Sequence, residues 1–300
     1  MVPIAEYLHV LYYGTEMTVI QFGKIAVQRI VEHEIPVYRP SDFFDEATAE
    51  ALEPHREWLE PQALCPRSGL MIMPVQSYLV RTRHHCILID TCVGCQKSYA
   101  DPPEWHQRSN EVWLNNLVAA GARPEDIDYV FCTHLHSDHC GWNTRLVDGR
   151  WLPTFPNARY VFARDEYQAL EAENHPIFID NVLPIMEARQ AVLVDLDYAL
   201  DDEVWLEPTP GHSPGHVAVH LRSGRHHAVM CGDLIHTPLQ LAEPGWTPTF
   251  EYDLAASTRT RKTFLDTHCN SDTVVLTSHF PSPSIGHIVP RGNSYDITYL

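Results

Sequence analysis

The sequence predicts an α/β protein made of two mostly antiparallel sheets with helices on their outer faces. Three observations point to it. Apolar residues (AVILMFWYC) make up 44% of the 300 residues, enough to bury a full core. Short β-branched and aromatic runs recur along the chain, most of them separated by turns or hairpins, so the steady βαβ alternation of a Rossmann or barrel chain is missing. Helical periodicity intrudes only occasionally.

In chain order, residues 16–38 surround Gly23 with β-branched and aromatic residues and read as two or three strands with a turn. Residues 39–70 are acidic and carry Pro40, Pro54, Pro61 and Pro66, which suggests an irregular N-terminal insertion with at most a short helix near 46–52. The rest of 1–300 reads as a single domain, with no repeat and no linker. Strands are expected at 77–81 and 86–90, the second closing in a turn at Asp90 to Gly94. Val112, Trp113, Leu114, Leu117 and Val118 fall at helical spacing and Gly121 stops the run. A buried strand at 127–133 leads into a polar loop. Further strands are expected at 159–162, 191–194, 203–207, 216–221, 227–231 and 273–277, with helices at 165–173 and 255–267. Ser223-Gly224 makes a hairpin turn, and 288–300 finishes in strand and coil.

Composition narrows the class of function. Asp and Glu number 39 against 21 Lys and Arg, a formal charge of −18, which argues against a nucleic-acid surface. The N-terminus has no basic leader and meets Glu6 early, so a signal peptide is not expected. No apolar run approaches the roughly 20 residues of a membrane helix. Eight scattered cysteines give no disulfide framework and fit a reduced, cytoplasmic setting. Cys92 and Cys95 have CxxC spacing without a second pair and read as thiols beside a turn. The unusual count is histidine, at 19.

The densest chemical signal is Thr133-His134-Leu135-His136-Ser137-Asp138-His139, directly after a buried strand. In an extended segment His134 and His136 point the same way, and a loop closing after them brings Asp138 and His139 to a neighbouring point. That spacing suits two metals side by side. It differs from the zincin helix, whose ligands sit one turn apart. Three further islands end apolar strands in polar ligand types: Gly211-His212, Gly232-Asp233 and Ser278-His279. Ligands delivered from several strand ends are held rigidly.

In these residues the chain resembles the metallo-β-lactamase superfamily, marked by a strand ending in Asp, a His-x-His-x-Asp-His loop, a later Gly-His, a later Asp and a last His. The matching elements are Asp90, His134 to His139, His212, Asp233 and His279, in the same order. The resemblance implies an αββα sandwich with a dinuclear metal site at one edge. It implies His134, His136 and His212 as ligands of one metal and Asp138, His139 and His279 as ligands of the other. Asp233 is then the bridging carboxylate, and Asp90 an outer group that holds the ligand loop. The expected cofactors are two divalent ions, Zn²⁺ first, with Fe, Co and Mn also suited to such ligands. Their four positive charges meet three negative ones from Asp138, Asp233 and a bridging hydroxide, the expected nucleophile.

The wider texture, including Gly141-Trp142-Asn143-Thr144 and Ser278-His279-Phe280-Pro281, resembles the lactonase and organophosphate-hydrolase-like branch. Quorum-sensing lactonases of the superfamily typically place a tyrosine three residues after the bridging Asp; this chain has His236. His236 is the candidate general acid, with Asp138 and Asp233 as catalytic ligands and Trp142, His236 and Phe280 as candidate pocket residues. His216 and His287 are expected to be structural or rim residues. The expected activity is opening of a lactone or cleavage of a carboxylic ester. Phosphotriester or phosphodiester hydrolysis is the alternative, and a metal-binding protein without turnover is the alternative of another class. Scarce lysine (Lys24, Lys97 and Lys262) disfavours a polyanionic substrate. The expected partner is a small-molecule ester or lactone, with no nucleic acid and no membrane; a homodimer stays open. Residues 39–70 would cover either the pocket or a dimer interface.

Overall fold

A computed structural model describes residues 18–99 and 102–300; the reading of the N-terminal leader falls outside these residues. The first sheet is formed by β1 (Val19–Phe22), β2 (Ile25–Tyr38), β3 (Met71–Arg81), β4 (Cys86–Ile89), β5 (Tyr129–Phe131), β8 (Arg159–Ala163) and β9 (Ala191–Val194), in that spatial order. The second contains β10 (Val204–Pro208), β11 (Val217–Ser223), β12 (His226–Met230), β13 (Val274–Leu276), β14 (Ile285–Arg291) and β15 (Ser294–Tyr299). A separate hairpin pairs β6 (Thr144–Val147) with β7 (Arg150–Pro153). The helices are α1 (Pro40–Phe43), α2 (Ala49–Leu59), α3 (Val112–Ala119), α4 (Ser137–Cys140), α5 (Arg164–Glu173), α6 (Leu183–Glu187), α7 (Leu239–Ala242) and α8 (Leu254–His268).

Inward side chains of both sheets share one core: Val27, Val80, Ile89 and Phe131 from the first meet Leu206, Val219, Met230 and Leu276 from the second. A second core packs the outer face of the first sheet against α3 through Trp113 and Leu117. A third packs the second sheet against α8 through Phe264 and Leu265. The layers therefore run α/β/β/α, as the resemblance implies.

The parallel pairings matter most for function. β4–β5 in the first sheet and β12–β13 in the second run parallel. Each pair brings two carboxyl ends to one edge of the sandwich, where crossover-linked strands place their ligands. All other pairings in the second sheet are antiparallel, whereas the first also runs parallel through β8 and β9.

The strands and turn expected around Gly23 are β1 and β2, and β2 runs on to Tyr38 through bulges between Val31 and His33 and between Pro36 and Tyr38. Two expectations are corrected. Residues 39–70 are not irregular: α1 and α2 occupy much of them. Their Phe43, Phe44, Leu52 and Leu59 bury against Met71, Met73 and Leu239. The strand β3 also begins at Met71, six residues before the expected start. Met71 to Val80 are buried on both faces, so no alternation is visible there.

Two histidines outside the strand-end islands, His220 and His227, form a relay on the outer face of the second sheet. Thr273 Oγ1 lies 3.1 Å from His227 Nδ1, His227 Nε2 lies 2.8 Å from His220 Nδ1, and His220 Nε2 lies 2.5 Å from Glu207 Oε2. Every donor in this chain finds an acceptor when both imidazoles are neutral. Both rings lie flat on Trp205, at interplanar angles of 7° and 6°. Burial, with His220, His268 and Arg222 alongside, holds His227 down to about 4. The folded chain thus takes up this proton later than the unfolded chain, whose histidine titrates near 6.5. Stability from this group is full above about pH 6.5 and is lost as pH falls toward 4. Chemical denaturation from pH 7 to 4 should show a shallower decline for His227→Asn than for the native chain; parallel declines would contradict the relay's neutral form.

Candidate metal centre

β4 ends in Asp90, which adopts a left-handed backbone at φ 61°. Its carboxylate accepts from the Thr133 backbone N–H at 2.8 Å and from the Thr133 hydroxyl. Its Oδ2 also lies 2.9 Å from His139 Nδ1. One carboxylate thereby fixes both ends of the loop after β5. Gly141 is required where this loop turns back: a Cβ there would sit 1.9 Å from the Val93 carbonyl oxygen.

The loops after β5, β10, β12 and β13 bring together every residue of the expected ligand set. One group holds His134, His136, His212 and Asp233, and another Asp138, His139 and His279, with the donor atoms of each group within 4.8 Å of one another. His212 Nε2 lies 3.2 Å from His134 Nε2 and 2.9 Å from His136 Nδ1, and His279 Nε2 lies 3.3 Å from His139 Nε2. Asp233 stands between the groups: Oδ1 is 3.1 Å from His139 Nε2 and 3.0 Å from His279 Nε2, while Oδ2 is 3.4 Å from His212 Nε2.

The chemistry of this donor set fits divalent cations. The outward nitrogens are already committed: His139 Nδ1 to Asp90, and His279 Nδ1 to the Pro74 carbonyl at 2.8 Å. Their Nε2 atoms consequently turn lone pairs toward a shared point. Burial holds His136 and His212 down to about 3, so both stay neutral, the form that ligates. Asp233 Oδ1 is buried without a well-aligned hydrogen bond among the described residues, an anionic atom that a cation would satisfy.

Two acids escape sequence reasoning. Glu166 on α5 accepts from the Gly215 N–H at 2.7 Å and the Leu135 N–H at 3.3 Å, clamping the His134 loop to the His212 loop. Burial raises its pKa and these bonds lower it. Glu251 places Oε2 3.2 Å from His212 Nδ1. Neither belongs to a short motif; Glu166 reads as one more acid on an acidic helix. We expect Glu166→Ala to strand two buried N–H groups at about 1–3 kcal/mol each and to weaken metal retention. Urea unfolding and dialysis against a chelator check this; unchanged stability would contradict the clamp.

The cleft above the site has a volume of about 650 Å³. His136, Asp138, His212, Asp233, His236 and His279 form its polar side. Tyr38, Phe43, Met73, Val75, Trp105 and Phe250 form the apolar side. His236 is where the sequence suggests: it meets Phe43 edge-on at 5.3 Å and stacks parallel to His279 at 6.0 Å. The segment 39–70 also reaches the cleft through Arg39, Asp42, Phe43 and Leu70.

Trp142 and Phe280 are corrected as pocket residues. Trp142 is buried beneath the ligand loop, stacked on Trp113 with its Nε1–H donating to Glu32 at 2.8 Å. Phe280 points away from its neighbour His279 into the core under α8. His216 is structural, as expected: its Nε2 accepts from the Asp233 backbone N–H at 3.0 Å and its Nδ1 pairs with Thr209 at 2.7 Å. Cys92 and Cys95 are free thiols. No helix among the described residues is long and apolar enough to cross a membrane.

Residues 71–277 match the family model of the metallo-beta-lactamase superfamily. An N-acyl homoserine lactonase of Bacillus cereus is 29% identical over 160 residues, covering 49% of this chain and 58% of the relative. The chain spans less than two thirds of the length of the curated relatives it matches first. Among solved structures, AidC, a dizinc quorum-quenching lactonase in complex with a product, superposes with a TM-score of 0.79 at 22% identity, covering 94% of this chain and 97% of that one. The hydrolase AbOPH superposes with a TM-score of 0.78 at 22% identity, covering 94% and 96%.

Proposed function

From the chain's membership of the metallo-beta-lactamase superfamily, we propose that it is a metal-dependent hydrolase that opens lactones, with N-acyl homoserine lactones as the first substrates to try. The observation that carries this reading is the position of Asp233, whose two oxygens face two separate histidine groups at the floor of a cleft with an apolar far wall. His134, His136 and His212 would hold one ion, Asp138, His139 and His279 the other, and Asp233 both. Two divalent ions, zinc foremost, supply Lewis acidity and hydroxide at neutral pH.

The chain's own residues do the rest. Tyr38, Phe43, Met73 and Phe250 exclude water and receive an acyl chain. Attack at the lactone carbonyl breaks the ring C–O bond, and the released alkoxide oxygen needs a proton. His236 is the donor in this reading. It faces the cleft, neither ring nitrogen is committed to a hydrogen bond among the described residues, and its backbone N–H is anchored at 2.7 Å on Gln240. A panel of N-acyl homoserine lactones, simple γ- and δ-lactones, aryl esters and a phosphotriester, assayed with zinc-loaded protein, tests the assignment. The expected result is fastest turnover on acylated lactones; turnover of the phosphotriester alone would contradict it.

A further inference from the structure

Glu251 has no place in the ligand pattern, yet the fold delivers it to the back of His212. Two backbone hydrogen bonds on its C-terminal side fix its position: the Tyr252 N–H donates to the His212 carbonyl at 3.1 Å, and the Asp253 N–H donates to the Gly211 carbonyl at 2.9 Å. Gly211 permits this approach. Its φ is +135°, and a Cβ there would lie 2.2 Å from the backbone nitrogen of Ser257 in α8. The preceding turn is tied down by the buried Arg261, which donates to the carbonyls of Pro244 at 3.1 Å and Trp246 at 3.0 Å and to the Thr247 hydroxyl at 2.6 Å. The Glu251 carboxylate is thus held at a fixed height beside the His212 ring.

Its Oε2 lies 3.2 Å from His212 Nδ1, and each atom is buried without a hydrogen bond among the described residues, two unsatisfied polar atoms side by side. Glu251 and His236 also share a cluster with His212, their polar atoms within 4.8 Å of one another and all three residues buried. The opposite nitrogen, His212 Nε2, faces His134, His136 and Asp233.

We propose that Glu251 is a positioning residue for the metal pair: with an ion at His212 Nε2, the adjacent carboxylate takes the Nδ1–H of His212 and so fixes the tautomer and ring plane that keep Nε2 turned toward that ion. This rests on the reading of His212 as a metal ligand. An outer acceptor of this kind raises the basicity of the ligating nitrogen and restricts ring rotation, and its loss typically costs about 10–100-fold in metal affinity. Glu251 acts through His212 and has no contact with substrate in this account. Asp90 does the same for His139 on the first sheet, so each ion would have one histidine backed by a buried carboxylate.

The test compares zinc binding to the native chain, Glu251→Ala, Glu251→Asp and Glu251→Gln by competition with a chromophoric chelator, which resolves the two ions without any activity assay. The native chain should hold two zinc ions. Glu251→Ala should weaken one of them by about 10–100-fold and leave the other within about 2-fold. Glu251→Gln keeps an acceptor oxygen at the same reach and should recover most of the loss; Glu251→Asp, one methylene short, should not. If Glu251→Ala fails to fold, the Gln and Asp variants decide between themselves. Equal affinity for both ions in native and Asp chains overturns the inference. Equal weakening of both ions in every variant does so too, because a general packing defect has that signature. Failure of the native chain itself to hold two ions overturns the ligand reading, and is distinguishable from these.

Discussion

Asp233→Ala should leave a chain that retains at most one divalent ion and hydrolyses lactones far more slowly than any outer-residue variant, whose loss is about 10–100-fold. The reason is the double contact. Asp233 Oδ1 faces His139 and His279 while Oδ2 faces His212 and His134. Removing the carboxylate takes a ligand from both groups and also removes the negative charge that allows two dications to sit close together. Asp233→Asn keeps the shape and loses the charge, so it should fall between native and Ala in metal content. The backbone at 233 is secured independently by its N–H bond to His216, so the fold should survive either change. Metal analysis after gel filtration, with steady-state rates on one lactone, checks both variants. Two retained ions with a native rate in Asp233→Ala would refute the bridging role.

His236→Phe should behave differently: two ions retained, with kcat reduced by about 10²–10⁴-fold, the usual contribution of a positioned proton donor. Phenylalanine preserves the edge contact with Phe43 and the stacking against His279, so the wall of the cleft should keep its shape and KM should move little. His236→Tyr places a different proton donor at this position and should restore part of the rate. Substrates whose leaving oxygen is already acidic, such as nitrophenyl esters, need no proton on departure, so His236→Phe should slow them least. Equal loss on poor and good leaving groups would contradict proton donation and leave His236 as a wall residue.

How much of this was legible in the sequence differs by element. The ligands were legible because an extended segment that turns His134 and His136 the same way and a loop closing on Asp138 and His139 are local geometry, written in consecutive letters. The islands at His212, Asp233 and His279 were legible because each follows an apolar strand. Glu166 and Glu251 were not, since their contacts span 31 to 49 residues for the first and 39 for the second, and nothing local marks an acid that will be buried. Trp142 and Phe280 were misplaced for the reverse reason. Phe280 adjoins His279, and a side chain next to one that faces the cleft turns the other way, into the core; Trp142 lies one turn beyond His139 and is drawn inward by Trp113 and Glu32. The aromatic wall came instead from Phe43 and Phe250, far from any motif. In the fold, the turns and most strands were readable from alternation. The first half of β3 was not, because burial on both faces erases the alternation that identifies a strand.

The central claim is that two ions held by these histidines and aspartates make the cleft a lactone-opening site. Stepwise addition of zinc to chelator-stripped protein, with ring opening of an N-acyl homoserine lactone followed at each step, tests it most directly. Turnover should rise with added metal and reach its plateau at two equivalents per chain. Two equivalents bound with no ring opening would contradict it.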